Sequence, residues 1–450
     1  MPNPITPERR RFLQAVGITA VTGAVAGCTS SPSSNDTTTT AAATTGETTT
    51  EDPMADLPKH EVLMEESELP SEPQHDVADL RDLMVVTERD NESVALVDTT
   101  RHERIGRVGD VGRAIHVHDF PSNLVDGTRE GAYVYTQSRE GWMYKVDLFG
   151  FNRAARVRAG LDARDIAVSR DNQYVAGGFY KPDQLFIADA KTMEPLKTIK
   201  TGGKNPDGEQ VSASVHALYD VEKEGLFLAA LGEAGRVQLF DYTQDGFPMV
   251  ADIGVANRLH DGFFGPDGRY FFIASQGDNV IGVVDTKKRE LAAKVPTAAV
   301  PHPGPGATDH ERHLAFTTHF GARKVTVWNT ETFEQEKVID VPGKGLFIQK
   351  HHNSPYVWAD VAFDDEDKNP LVYLIDPESL EVHETIDTSQ WGGKRAIHPE
   401  FTRDGSEVYI SLWDAGKLLV FDSETAELKT QIEGFKTPTG KFLGTRSQGH

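Results

Sequence analysis

The segment RAIHVHDF, Arg113 to Phe120, alternates as a strand does, and two of its residues, His116 and His118, fall on one face. Imidazoles there offer metal ligation or proton exchange, where a purely structural strand would carry Val or Ile. Arg164, His260, His302, His351 and His398 stand at related places further on, and Arg89, Arg139, Tyr180, His319 and Trp413 make a second set. The 450 residues contain one cysteine, Cys28, so thiolate zinc sites, iron–sulfur sites and a CxxCH attachment for c-type haem do not occur in them. Imidazoles without thiolates suit zinc, copper or haem iron. Three arginines with aromatic neighbours suit a planar group bearing several carboxylates, because guanidinium meets carboxylate through paired hydrogen bonds. That donor set favours a haem-like macrocycle over a bare metal.

A repeat brings these residues together. A short apolar strand ending in Asp or Asn recurs eight times: VALVD at Asp98, MYKVD at Asp147, LFIAD at Asp189, VQLFD at Asp241, IGVVD at Asp285, VTVWN at Asn329, VYLID at Asp376 and LLVFD at Asp422. The steps run from 42 to 52 residues. A period in the forties with four short strands per unit marks a β-propeller. One unit is legible after Arg164, with IAVS, YVAGGF, LFIAD and PLKTIKT as strands A to D. The expected fold is therefore all-β, a propeller of eight blades, or of seven with one irregular insertion. The first unit opens at strand B, LMVVTE, and TPTGKFLGT after the last strand D stands where a strand A belongs. The C-terminal strand is thus expected to complete the first blade and close the ring, leaving no open sheet edge.

Phase follows from the repeat. His116 lies 18 residues after its landmark, Arg164 17, His260 19, His302 17, and His351 and His398 each 22. These places are the start of strand A, the innermost strand. The second set lies 8 to 10 residues before its landmarks, in the turns between strands B and C. In an antiparallel meander the start of A and the B–C turn share one end of the blade, so both sets converge on one mouth of the channel.

Acidic residues number 69 against 46 basic, a net charge of −23, which argues against nucleic acid as a partner. The balance fits a strongly solvated surface, or one that docks a basic partner. Residues 1–27 read as a twin-arginine lipoprotein signal, with Arg9, Arg10 and Arg11 before a short apolar run, or else as an uncleaved anchor. VAGC then presents Cys28 for lipidation. Residues 28–76, rich in Thr, Ser and acidic side chains, are expected to be a disordered tether, and residues 77–450 the propeller. The expected location is the outer side of the cytoplasmic membrane, held there through the lipid.

From about Met84 to Phe442 the chain resembles the haem d1 propeller of cytochrome cd1 nitrite reductases and their NirF-type haem d1-biosynthesis paralogues. The motifs that carry the resemblance are RAIHV, SREG, LDARDIAVS, AGGFYKPDQLFIAD, RLHDGFF, PHPGPGA, LFIQKHHNSPYV, RAIHPEF and TPTGKF, in the family's order. The resemblance implies haem d1 or a precursor as cofactor, with His116 as the axial ligand of its iron and His260 on the distal face. It implies that Arg89, Arg139 and Arg164 hold the haem carboxylates and that Tyr180 is an aromatic of the pocket, which His118, His302 and His398 are expected to line as well from their places on the inner strands. Those reductases place two histidines over the iron. Tyr219 falls where the second is expected, with His216 three positions out of register. His398 stands where they have Gln, and His118 where they have Ser.

These departures, with the missing CxxCH, put a haem d1-maturation lipoprotein first. A reductase subunit taking nitrite to nitric oxide, with His260 as proton donor and a separate electron donor, comes second. A non-catalytic interaction propeller comes third. Whether the chain is itself an enzyme, an oxidoreductase acting on a haem d1 precursor or on nitrite, stays open at this stage. Expected partners are the macrocycle, other haem d1-maturation proteins or a small electron carrier, and the membrane. Export makes the first testable prediction: Cys28→Ser moves the protein from the membrane fraction to the soluble fraction on cell fractionation. A variant that stays membrane-bound with its N-terminus intact identifies the leader as an anchor.

Overall fold

A computed structural model describes residue 54 and residues 56–444. The leader and Cys28 lie outside the described residues. The described chain is nearly all strand, with five short 3-10 segments and no α-helix among the described residues. Its sheets resolve into eight four-stranded antiparallel meanders. Seven begin with a strand A that precedes B, C and D in sequence. Blade 1 instead takes its strand A, Pro438–Leu443, from the C-terminus, paired with strand B, Leu83–Glu88. Ring closure by the C-terminal strand is therefore observed. The long step between Asp189 and Asp241 is an inserted hairpin, Gly202–Lys204 with Gln210–Ser212, between blades 3 and 4.

The recurring Asp or Asn has a local cause. At all eight landmarks the side chain accepts a backbone N–H from the turn that follows, for instance Thr100 N to Asp98 at 2.9 Å and Lys288 N to Asp285 at 3.0 Å. This is the turn-forming chemistry of Asp and Asn. The same turns each hold a left-handed residue, such as His102, Phe151 and Met193, before strand D leaves. Strands B and C are packed on both faces by neighbouring blades, so Leu83–Glu88 and Ser93–Asp98 are buried at every position. Strand D lies at the rim, and Pro195–Lys200 is mostly exposed. Blades are tied to one another by buried carboxylates: Asp119 accepts from Val168 N at 2.7 Å, Asp165 from Leu218 N at 2.9 Å and Asp360 from His398 N at 2.8 Å.

One expected boundary moves. Part of residues 28–76 is not tether: Lys59–Val62 adds a fifth strand to the outer edge of blade 2, pairing with Asn152–Arg158. Leu69 is buried in the adjoining core, and Arg156 pairs with Glu61. An exposed sheet edge takes up any strand that matches it, and this segment covers that edge from within the same chain. The compact unit begins at Leu57.

Closure yields the second prediction. A chain ending at residue 436 lacks strand A of blade 1 and leaves Leu83–Glu88 unpaired on its inner side. It should lose the cooperative thermal transition seen by circular dichroism. A melt like that of the full chain would show that the closing strand is dispensable.

Candidate functional site

Closure brings one side chain per blade to the axis. Rings pass in contact from blade to blade: Tyr180 to His216 at 4.6 Å between centroids, His216 to His260 at 5.5 Å, and His260 to His302 at 5.2 Å. The belt continues from His302 to Phe347 at 5.9 Å, Phe347 to His398 at 4.6 Å, His398 to Phe442 at 5.5 Å and Phe442 to His118 at 4.9 Å. Strands A supply most of these rings, with Phe347 just before strand A of blade 7 and Tyr180 at the end of strand B of blade 3.

Arg164, on strand A of blade 3, completes the circle. Its guanidinium is 1% exposed, and all three nitrogens are engaged. Nε donates to Tyr180 Oη at 3.1 Å, Nη2 donates to Asp261 Oδ1 at 2.8 Å, and Nη1 lies against both ring nitrogens of His116. Burial opposes its charge, but Tyr180 and Asp261 raise its pKa overall. His116 is driven well below the usual histidine range by burial and by Arg164 and Arg139. Its imidazole is therefore neutral, with a nitrogen lone pair available for a metal. His260 is lowered to about 4, chiefly by burial, against the opposing pull of Asp261.

The other arginines stand in the B–C turns of blades 1 and 2. Arg139 pairs with Asp162 at 2.9 Å, and its guanidinium lies 5.0 Å from the Tyr180 ring centre. Arg89 is buried, and burial and Arg139 lower its pKa to about 10. Three guanidinium groups thus surround the His116 side, while imidazoles and Asp261 line the other. His260, Asp261 and His302 also offer a metal-ligand triad, their ligand atoms all within 4.8 Å of one another.

Tyr219 does not join this site. Its hydroxyl donates to Gly262 O at 2.5 Å, and its ring packs on Phe264 and Phe271 between blades 4 and 5. A bulge between Val215 and Ala217 shifts the register of strand A in blade 4 and turns His216 inward. Blade 4 leaves space for that ring at Gly232, whose Cβ would stand 2.4 Å from it. His216 accepts from Tyr180 Oη at 3.1 Å and sits 3.9 Å from Glu233. The residue judged out of register is thus the one in the belt, and the second imidazole beside His260 is His302.

Three other phased residues part from the site. His351 follows the short strand Ile348–Lys350 and stands in the A–B connection, at the opposite end of the blade from the axial cluster, against His352. His319 is satisfied within blade 6: Nδ1 donates to Lys324 O at 3.0 Å, and Nε2 accepts from Thr326 at 3.2 Å. Trp413 packs with Phe363 under Arg395. His118 bonds Thr87 at 2.9 Å and His398 meets Phe347, so both belong to the far half of the belt. Asp261 and Phe347 were missed by phase alone. The signal for Asp261 was its place beside His260 in LHDG.

His319 provides the third prediction. Burial lowers its pKa from 6.5 to about 4, so the unfolded chain takes up the proton first as pH falls. Its contribution is complete above the unfolded value and drains as pH drops toward the folded one. Between about pH 7 and about pH 5 the stability gap between wild type and His319→Gln should therefore change by about 2 kcal/mol, to the wild type's disadvantage, in urea unfolding. An unchanged gap would mean that the imidazole is not buried neutral.

Comparison with known proteins agrees with the geometry. Residues 78–447 match the family described as the cytochrome D1 heme domain. The nitrite reductase of Stutzerimonas stutzeri is 32% identical over 403 residues, covering 81% of this chain and 70% of that protein. Protein NirF of the same organism is 25% identical over 384 residues, covering 81% and 92%. The solved structure of the dihydro-heme d1 dehydrogenase NirN in complex with DHE superposes with a TM-score of 0.75 at 29% identity, covering 86% of this chain and 80% of that one. An eight-unit ring with buried imidazoles and guanidinium groups at its axis, matched along nearly its whole length, belongs to the cytochrome D1 heme domain family.

Proposed function

We propose that this chain is a haem d1-binding propeller lipoprotein that takes up haem d1 or a precursor of it at the axial cluster and serves haem d1 biosynthesis, in the manner of its NirF-like and NirN-like relatives. The observation that carries the reading is His116: a half-buried imidazole at the axis, held well below the usual histidine range, with Arg89, Arg139 and Arg164 acting on it. That donor set fits an iron macrocycle with carboxylate side chains. Bound there, the macrocycle would supply a redox-active iron. His116 would ligate it, and Arg164, which now lies against the His116 nitrogens, would yield that contact. Arg89 and Arg139 would meet carboxylates, and Tyr180 would bound the pocket beside them.

The leader supports export, with Cys28 lipid-anchored at the outer side of the cytoplasmic membrane. Other maturation proteins or a small electron carrier would then meet the domain there. A second reading, a nitrite reductase subunit, is favoured by the adjacent His260 and His302 rings, which bring two imidazoles side by side at the axis.

Titration of the full chain with authentic haem d1 under reducing conditions decides among these. The expected result is binding with an imidazole-ligated spectrum that His116→Ala abolishes and His118→Ala leaves nearly intact, without nitrite turnover from an artificial donor. Turnover that His260→Ala slows by about 10²-fold selects the reductase reading. No binding of haem d1 or a precursor, with His116→Ala without effect, rules out both.

A further inference from the structure

Asp261 follows His260 on strand A of blade 5 and belongs to neither phased set. Its carboxylate nonetheless reaches three side chains of the site. Oδ1 accepts from Arg164 Nη2 at 2.8 Å and lies 2.9 Å from His260 Nδ1. Oδ2 lies 2.9 Å from His302 Nε2. These partners come from blades 3, 5 and 6, so one group spans much of the axis.

The carboxylate is seated from both sides. Blade 6 places Gly304 opposite it, and a Cβ there would stand 3.1 Å from Oδ2. Any side chain at that position would press on the carboxylate. His302 in turn is gripped at both ends, with Nδ1 donating to Leu346 O at 2.7 Å and Nε2 facing Asp261. Burial works against a charge on Asp261, yet His260, His302 and Arg164 hold its carboxyl well below the usual range. A carboxylate 2.9 Å from Nδ1 of His260 favours the hydrogen on that nitrogen. His260, Asp261 and His302 resemble a metal triad, but the Arg164 guanidinium already supplies the positive charge at Oδ1. That makes the group an ionic hub rather than a cation site.

We propose that Asp261 is the positioning residue of the axial site: its carboxylate sets the orientation of the His260 and His302 rings and anchors the Arg164 guanidinium beside them, so that groups from three blades are fixed through one carboxylate. The inference rests on the haem reading above only where macrocycle binding is measured.

The test uses the full chain with ¹⁵N-labelled histidine and no macrocycle. Asp261→Asn keeps the shape and removes the charge. The expected result is a shift of the ring-nitrogen resonances of His260 and His302, with those of His118 and His319 unmoved and circular dichroism unchanged. Gly304→Ala leaves every charge in place and crowds the carboxylate, and should move the same two rings; it decides the matter if Asp261→Asn does not fold. A second arm titrates authentic haem d1, for which Asp261→Asn should bind at least about tenfold more weakly. Unmoved His260 and His302 resonances in a folded variant overturn the proposal. Wild-type chain that binds no haem d1 counts against the proposed function instead, and the resonances alone then decide the role of Asp261.

Discussion

The pairing of Pro438–Leu443 with Leu83–Glu88 is the constraint on which the rest depends. Each blade alone is a twisted meander with two apolar faces and an inner edge of unpaired peptide groups. Only when the last strand joins the first blade does every face find a neighbour. Closure also sets the axis, because eight inner strands then point their side chains into one shared volume. Phe442 shows both roles at once: it belongs to the closing strand, and its ring touches His118 of blade 2 and His398 of blade 8. Its position gives the belt its continuity between the first and last repeats.

A closed axis must be filled, and here it is filled with groups that titrate. Such burial is tolerable only where each charge finds a partner or is given up. The two halves of the belt solve this differently. Around His116 the charges are kept: Arg164 is fixed by Asp261 and Tyr180, and burial holds the His116 and His260 imidazoles below the usual histidine range. Across the axis the charges weaken. Burial lowers Lys441 to about 7 and raises Glu400 to about 8, and the Lys441 ammonium donates to Ser411 Oγ at 2.8 Å. The half with sustained charge is the half suited to bind a carboxylated, metal-bearing group.

Repetition explains why so many residues looked alike. A strand end rich in polar side chains recurs in every blade, and local geometry decides what each does. His302 sits at the second position of a nine-residue strand A and reaches the axis. His319, at the end of the next strand, finds a carbonyl and a threonine within its own blade. His351 lies 22 residues after its landmark, against 17 for His302, and its strand A has only three residues, so it stands past the strand and toward the other mouth.

The sequence by itself determined the fold and its closure. The landmark strands each carry their own turn chemistry, in which Asp or Asn accepts from the next turn, so the period is written locally and survives in every repeat. Phase to the landmarks likewise brought Arg164, His260 and His302 to the inner strands and Arg89, Arg139 and Tyr180 to the same end, whereas RAIHVHDF is strand only at His118–Asp119, so His116 stands in the segment that leads into it. The tertiary structure decided what depends on register and on neighbours. A bulge in blade 4 exchanged Tyr219 for His216, because one extra residue turns the following side chains to the other face. The segment Lys59–Val62 reads as part of a polar tether until an unpaired edge in blade 2, far along the chain, gives it a partner. Asp261 acquires its role only where three blades meet, since no spacing along a single chain records that Arg164, His260 and His302 stand within 3 Å of one carboxylate.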